Sequence, residues 1–319
     1  MGVKGALSTT NAILTHTIIA FNVNIVNSII KYMKTFKLKP KQIPKKLVHL
    51  SDSPDHLYIK TELDNPIDLF KLPSVAIVGS RKLTSYGKAV TEKVVSDLVA
   101  KGVVIVSGLA LGIDSVAHQQ ALKSNGLTIA ILPCGVNNIY PRSHLNLANQ
   151  IAKDGALISE YQPDEKIAYK RNFIARNRII AGLSDIIVIP EAAKGSGSLH
   201  TAQFGIDLGI DIFAAPGPIF SPDSEGTNNL IKTGANLLND SAEILNLLGL
   251  ENRHIQKKLP LLENEEQMNI AKVLIKGQAN FESLLETTKM TSSNLNSTLS
   301  YLEIMGVVRN VGNNTWELI

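Results

Sequence analysis

The sequence predicts an α/β protein: a doubly wound, mostly parallel sheet followed by a small C-terminal winged-helix domain. Three observations favour this fold class. Short apolar runs rich in β-branched residues alternate with helical stretches between about residues 75 and 214. These runs show little alternation of polar and apolar positions, which is typical of strands covered on both faces. Beyond residue 258, three short helical patterns precede a hairpin signal, as in a winged helix-turn-helix.

Six apolar runs predict the strands of the sheet, at residues 75–78, 103–106, 128–132, 156–159, 186–189 and 212–214. Helical stretches fit between them, for example at residues 86–100, 114–124 and 198–208. Repeated strand–helix units with right-handed crossovers give a parallel sheet with helices on both faces. Ligands of such sheets bind beyond the carboxyl ends of the strands.

The chain divides into four predicted parts. They are a short basic N-terminal helical segment at residues 1–46, the α/β domain at 47–250, a polar linker at 251–258 and the winged-helix domain at 259–319. Residues 1–51 contain eight lysines and no acidic residue. Between residues 13 and 30, apolar positions at helical spacing are interrupted by polar ones, which favours an amphipathic helix over a membrane span. A helix lying on a membrane surface is the alternative.

The tail is predicted to hold helices at residues 269–276, 281–287 and 292–305 and strands at residues 307–310 and 315–318. Residues 254–319 contain six Lys/Arg and seven Glu. Duplex affinity depends strongly on phosphate neutralisation, so this charge balance does not support a duplex-binding role. A protein-contact or weak accessory role is the alternative.

Composition limits the function classes. The 319 residues carry a net charge of +4 and a single cysteine, Cys134. One cysteine excludes an intramolecular disulfide and a cysteine zinc cluster, and it fits a reducing cytoplasm. Cys134 is predicted to be a small structural residue rather than a nucleophile. The sequence contains neither the dinucleotide fingerprint nor the Walker A motif, so we expect no nucleotide cofactor.

Small residues follow the predicted strands, in the turns Gly79-Ser80-Arg81, Ser107-Gly108, Pro133-Cys134-Gly135, Gly195-Ser196-Gly197-Ser198 and Pro216-Gly217. The carboxyl ends of parallel strands meet at one edge of a sheet, so these turns predict a crevice where backbone approaches a ligand closely. Arg81 could bind a phosphate there through its guanidinium fork. A surface ion pair is the alternative for Arg81.

Residues 170–198 are the most informative segment. Lys170, Arg171, Arg176 and Arg178 surround Phe173, and a glycine-serine loop then opens a helix. Cations neutralise phosphates, an aromatic face stacks a base, and N–H groups at a helix start bind anions. This combination predicts binding of unpaired nucleic acid. A solvated helix with Phe173 facing the core is the structural alternative.

The candidate acid–base and metal residues do not complete a catalytic set. Asp114 and His118 lie four residues apart on one helix face, a metal-ligand spacing that lacks a third ligand. A helix cap and a hydrogen-bonded histidine are the alternative for this pair. Glu160 and Glu191 follow strands and either act as acid–base groups or hold the neighbouring cations in place. We therefore expect no catalytic residue and no metal site.

Seven motifs occur in a characteristic order: VAIVGSR (75–81), SGLALGID (107–114), TIAILPCG (128–135), FIARNRIIAGLS (173–184), EAAKGSGSLHTA (191–202), FAAPG (213–217) and SEGTNNLIKTGA (224–235). In these motifs the chain strongly resembles the DNA-processing protein A family (DprA, also called Smf). The resemblance implies an extended Rossmann-like domain that binds single-stranded DNA without catalysis. It also implies a cytoplasmic homodimer that loads a RecA-type recombinase during transformation or recombination, with single-strand-binding protein as a further partner.

The resemblance places the strand-binding pocket on Arg81, Lys170, Phe173, Arg176 and Arg178. With the small-residue turns, the complete predicted single-stranded DNA site is Gly79, Ser80, Arg81, Ser107, Gly108, Lys170, Phe173, Arg176, Arg178, Gly195, Ser196, Gly197 and Ser198. The family's N-terminal helical domain is short or diverged here. Ile210 stands where an arginine is common, and His200 where an aliphatic residue is common.

Two other functions are kept as alternatives. The first is a nucleotide-processing enzyme of the lysine-decarboxylase-like type, an analogy of fold only. Those enzymes carry a PGGxGT-type loop, whereas this chain has KGSGSLHT at residues 194–201. The second is a transcription regulator that reads duplex DNA through the winged-helix tail.

Overall fold

The computed structural model describes residues 32–166, 169–251, 264–275 and 277–318. The chain forms two compact units, Met1–Arg253 and His254–Ile319. The amphipathic helix predicted between residues 13 and 30 lies outside the described residues, as does most of the predicted linker. In the part of the chain that is described, no helix is both long enough and apolar enough to cross a membrane.

The described part of the first unit contains a nine-stranded sheet. Its strands are β1 (Lys34–Leu38), β2 (Leu57–Thr61), β3 (Ser74–Ile77), β4 (Val104–Ser107), β5 (Thr128–Ile131), β6 (Ala156–Ser159), β7 (Ile186–Ile189), β8 (Asp211–Ala214) and β9 (Asn236–Leu237). The spatial order is β1-β2-β6-β5-β4-β3-β7-β8-β9. Strands β1 and β2 pair antiparallel, as do β2 and β6, while the other neighbours pair parallel.

Helices cover both faces of this sheet. They are α1 (Lys45–Val48), α2 (Ser85–Val99), α3 (Ile113–Lys123), α4 (Leu145–Asp154), α5 (Arg171–Leu183), α6 (Ser198–Asp207), α7 (Glu225–Lys232) and α8 (Ala242–Leu247). Successive side chains of a strand point to opposite faces, so Val75 packs into one apolar cluster and Ala76 into another. The first cluster includes residues of α2, α3 and α8, and the second includes residues of α1, α5 and α6. The predicted doubly wound, mostly parallel sheet is confirmed.

The winding direction reverses between β3 and β7. From β3 the chain adds β4, β5 and β6 on one side, and β7 then returns to the other side of β3. The surface beyond the carboxyl ends of β3 and β7, at this reversal, is the position of the predicted crevice. In doubly wound sheets, this switch point is where ligands bind.

The prediction of a helical segment over residues 1–46 is wrong for Lys34–Leu38, which form strand β1. Phe36 and Leu38 pack on the core while Thr35 and Lys37 are exposed, which is the two-residue alternation of an edge strand. The α/β unit therefore begins before residue 47. The lysines that suggested a solvated basic segment also keep an edge strand from pairing with other chains.

The second unit is a small helical domain with a three-stranded sheet. Its elements are α9 (Glu265–Leu274), β10 (Ala279–Asn280), α10 (Phe281–Thr288), α11 (Ser292–Ile304), β11 (Val308–Gly312) and β12 (Thr315–Leu318). The sheet order is β10-β12-β11, with antiparallel pairing. Leu284, Leu295 and Trp316 belong to its own apolar core. The prediction of a winged-helix domain is confirmed.

Candidate nucleic-acid interface

The turn that follows β3 is wedged between two other elements. Ser80 N donates to Glu191 O at 2.8 Å, and Ile113 N at the start of α3 donates to Ser80 O at 3.1 Å. A Cβ on Gly79 would lie 2.7 Å from Glu191 O and 2.7 Å from Ile113 Cγ1, so only glycine fits there. These contacts fix the backbone of the turn. The Arg81 side chain that follows is exposed.

Arg81 lies over the ring of Phe173. Its Cζ is 5.3 Å from the centroid of that ring, within the range of a cation–π contact. Phe173 is half-buried rather than enclosed in the core. Tyr140, which is 48% exposed, meets Phe173 edge-to-face with centroids 5.5 Å apart. An arginine and two rings thus form an accessible cluster at the carboxyl edge of the sheet.

Tyr140 is a site residue that the sequence reasoning did not include. It belongs to the segment between β5 and α4, and β5 ends at the same edge of the sheet as β3. Its position in the sequence could have identified it, because Tyr140 is an aromatic residue in a loop that leaves the ligand-binding edge of a doubly wound sheet.

Lys170 is exposed immediately before helix α5, and Phe173 N donates to Lys170 O at 3.2 Å. The first turn of α5 contains Arg171 and no acidic residue. Cations at the positive end of a helix dipole are unfavourable unless an anion is nearby. This arrangement makes the start of α5 a region of positive potential next to the Phe173 ring.

Arg176 does not face the crevice, although the sequence analysis placed it in the binding pocket. It is only 4% exposed, and its Nη1 donates to Gly108 O at 2.6 Å and to Ile131 O. Its Nε donates to Asn177 Oδ1 at 3.1 Å. Burial lowers the pKa of Arg176 to about 10. These bonds hold the guanidinium between β4 and β5 and use its donors. Arg176 therefore supports the floor of the crevice and does not reach a phosphate directly, contrary to the prediction.

Arg178 is also turned into the protein. It is 6% exposed, and its two terminal nitrogens donate to the two carboxylate oxygens of Glu160 at 2.8 and 2.7 Å. Its Nε donates to Asp52 O at 2.8 Å. Burial alone would lower the pKa of Arg178, but the hydrogen bonds and charge of Glu160 outweigh it and raise that pKa. Glu160 therefore holds a cation, which is one of its two predicted roles. Arg178 is engaged by Glu160 and does not reach a phosphate directly, contrary to the prediction.

Ser107 and Gly108 lie beneath the surface. Ser107 Oγ donates to Ile77 O at 2.6 Å, and Ser107 is fully buried. A Cβ on Gly108 would lie 2.3 Å from Arg176 Nη1. Both residues shape the crevice floor and allow Arg176 to pack there. The prediction that they contact the ligand directly is therefore not supported by their positions.

The glycine-serine loop before α6 is open. A Cβ on Gly195 or Gly197 would meet no heavy atom within 4 Å. Ser196 Oγ and Ser198 Oγ are hydrogen-bonded at 2.7 Å, and Asn177 Nδ2 donates to Gly197 O at 3.1 Å. The loop is therefore attached to α5 and accessible from solvent, as an anion-binding role requires.

The candidate catalytic residues have structural partners. Asp114 Oδ2 accepts from Gly108 N at 3.1 Å and from Ala110 N at 3.4 Å, and burial raises the pKa of Asp114. His118 Nδ1 is bonded to Thr128 Oγ1 at 2.7 Å. Among the residues that the structure describes, no group of three or more His, Cys, Asp or Glu could hold a metal ion.

Glu191 and Cys134 have structural partners as well. Glu191 Oε1 accepts from Thr84 N at 3.1 Å, and its other oxygen accepts from the Thr84 hydroxyl. Glu191 therefore caps the turn before α2, and within the described residues it forms no ion pair with a cation. Burial raises the pKa of the Cys134 thiol to about 11, and its Sγ donates to Asn138 O at 2.7 Å. A protonated, buried thiol is a structural residue, not a nucleophile.

Known proteins resemble this chain over the same region. A family model described as DNA recombination-mediator protein A matches residues 34–249. Protein Smf of Escherichia coli is 45% identical over 204 residues, which cover 63% of this chain and 53% of that protein. DNA processing protein DprA of Bacillus subtilis is 37% identical over 228 residues, covering 72% of this chain and 75% of that one. The chain thus spans about half the length of the first relative.

Two solved structures share the fold. The DNA processing protein A of Streptococcus pneumoniae superposes with a TM-score of 0.62 and 39% identity over 68% of this chain and 74% of that one. The Helicobacter pylori protein superposes with a TM-score of 0.61 and 34% identity over 68% of this chain and 97% of that one. That structure is described as giving insight into a unique single-stranded DNA binding mode. These matches confirm the resemblance that the sequence motifs indicate.

Proposed function

The chain belongs to the DNA recombination-mediator protein A family, and from this premise we propose that it binds single-stranded DNA at the switch-point crevice. The observation that carries the proposal is the exposed Arg81 guanidinium over the half-buried Phe173 ring, 5.3 Å from its centroid. The pair lies beyond the carboxyl end of β3, where doubly wound sheets bind ligands. The single-stranded DNA binding of the Helicobacter pylori relative supports it.

The chemistry of the cluster favours an unpaired strand. A base can stack on a protein ring only when it has left its neighbours in the helix, so an accessible phenylalanine favours single strands over duplex. Arg81 and Lys170 supply the phosphate contacts beside the ring, and the N–H groups of the Gly195–Ser198 loop supply further donors. Arg176 and Arg178 act indirectly, because they hold β4, β5, β6 and α5 together beneath the bound DNA.

The proposal extends to the partners that the family resemblance implies. The bound strand is protected and delivered to a RecA-type recombinase in the cytoplasm, with a second copy of the chain and single-strand-binding protein as further partners. Binding takes place without a catalysed reaction. The buried thiol of Cys134 and the structural bonds of Asp114 and Glu191 support this part of the proposal.

The experiment is a salt-dependent titration of labelled oligothymidine by fluorescence anisotropy. We expect Arg81→Ala to weaken binding and to reduce the slope of log affinity against log salt by about 0.7, because one phosphate contact is lost. We expect Phe173→Ala to weaken binding by about 1–3 kcal/mol with the slope unchanged. Arg309→Ala, an exposed arginine in the second unit, is the control and should bind as wild type does. Wild-type affinity in an Arg81/Lys170 double alanine variant would refute the site.

A further inference from the structure

A second exposed ring with its own guanidinium lies four residues before Phe173 in the chain. Tyr169 is 60% exposed, and Arg171 Cζ is 4.6 Å from the centroid of its ring. The Phe173 and Arg81 pair likewise joins an aromatic ring to a guanidinium, with a separation of 5.3 Å. Both pairs therefore offer a ring and a cation, and only the Phe173 pair belongs to the site described above.

Two overlapping turns connect Tyr169 to Phe173 at the start of α5. Asn172 N donates to Tyr169 O at 3.1 Å and Phe173 N donates to Lys170 O at 3.2 Å, so a tight turn that begins at Tyr169 leads into the helix. Successive bases are 3.4 Å apart when stacked in a duplex strand and farther apart in a stretched one. The two rings therefore flank one turn of the chain, within reach of neighbouring bases of an extended strand.

The charges around this second pair are uncompensated. Within the described residues, neither Lys170 nor Arg171 forms an ion pair with a carboxylate, and no acidic residue occupies the first turn of α5. Lys170 lies between the two rings in sequence. An exposed ring and two cations without a carboxylate partner, at the positive end of a helix, contribute little to the stability of the folded protein. A bound strand of phosphates and bases supplies what this cluster lacks.

We propose that Tyr169 and Arg171 form a second base-stacking subsite, which takes the nucleotide next to the one on Phe173 and Arg81. The inference rests on the proposed function and deepens it. The strand would lie along the start of α5, with its bases on the two rings and an intervening phosphate at Lys170. Arginine adds a stacking surface as well as charge, since its planar guanidinium stacks on bases and rings alike.

The test uses the full chain and a labelled oligothymidine of about 20 nucleotides in a salt series. Tyr169→Ala should bind roughly 5- to 150-fold more weakly, which corresponds to about 1–3 kcal/mol, with an unchanged salt slope. Tyr169→Phe keeps the ring and should bind as wild type does. Arg171→Ala should bind more weakly and lower the slope by about 0.7.

Tyr32→Ala is the matched control. Tyr32 is 62% exposed, and it precedes β1, which runs parallel to β6, so it lies at the opposite edge of the sheet. Wild-type binding by both Tyr169→Ala and Arg171→Ala, with Arg81→Ala still weakened, would overturn the second subsite and leave the proposed function intact. Failure of the wild type to bind oligothymidine at low salt would overturn both.

Discussion

The direction in which each cation leaves helix α5 decides what it can do. Lys170 is exposed beside the crevice, whereas Arg176 and Arg178 are buried beneath it. Sequence reasoning could identify the cations but not the direction of their side chains, because all three lie at the start or inside of one helix. Burial of two arginines is possible because backbone carbonyls and Glu160 accept from their donors. That requirement depends on residues far away in the chain, which a local pattern does not contain.

Arg178 is expected to be a stability residue. Its bidentate contact with Glu160 is largely buried, and removing one partner leaves a carboxylate without its cation. Since Glu160 keeps some exposure to water, we expect Arg178→Ala to lower the free energy of unfolding by about 2–4 kcal/mol in urea denaturation. Arg171→Ala, on the same helix but exposed, should change it by less than about 0.5 kcal/mol. Equal stability of the two variants would contradict this account of Glu160 and Arg178.

Because of His118, we expect the free energy of unfolding to decrease as pH is lowered. Burial, together with the charges of His144 and Arg176, lowers the pKa of His118 to about 3. A histidine that stays neutral in the folded state takes up a proton near pH 6.5 when the chain unfolds, so stability decreases as pH falls from about 6.5 towards 3. From about pH 7.5 to about pH 5, the loss due to this residue should be roughly 2 kcal/mol. Urea unfolding of His118→Gln at both pH values should show a loss smaller by that amount, and equal losses would contradict it.

At the scale of elements, apolar runs locate the central strands well. β3 to β8 start and end within about one residue of their predicted bounds, because strands covered on both faces have a strong local signal. The antiparallel strands β1 and β2 were not predicted. β1 contains only two apolar residues among lysines and a threonine, and its pairing with β2 depends on contacts across the chain. Register and partner choice at a sheet edge are properties of the whole sheet.

The turn after β3 should tolerate no side chain at Gly79. A Cβ there would lie 2.7 Å from Glu191 O, a backbone atom that the end of β7 holds in place. We expect Gly79→Ala to lower the free energy of unfolding by about 1–3 kcal/mol and to weaken oligothymidine binding, because the turn that carries Arg81 must shift. Urea denaturation and the anisotropy titration measure the two effects.

Gly195→Ala is the matched control for that substitution. A Cβ on Gly195 would meet nothing within 4 Å, so its stability should change by less than about 0.5 kcal/mol. Comparing the stabilities of the two variants distinguishes the effect of close packing in the turn after β3 from the general effect of replacing a glycine. A stable Gly79→Ala variant with wild-type affinity would show that the turn can move without disturbing Arg81.

At the scale of the whole molecule, the two units differ in what their surfaces offer to DNA. The first unit joins exposed cations to accessible rings at one sheet edge. In the second unit, helix α11 occupies the position of a recognition helix but carries no lysine or arginine over Ser292–Ile304. Residues 254–319 contain more glutamates than cations. Fold resemblance to duplex-binding domains therefore does not establish the same function here.

This contrast predicts the outcome of separating the units. A chain ending at Arg253 should bind oligothymidine within about threefold of the full chain, a difference of about 0.7 kcal/mol, because every proposed contact lies in the first unit. Residues 254–319 have their own apolar core and can be tested alone. They should show no salt-dependent binding to duplex, since few phosphates can be neutralised. Anisotropy with matched single-stranded and duplex oligomers decides it: tight duplex binding by residues 254–319 would instead favour a regulator that reads DNA through α11.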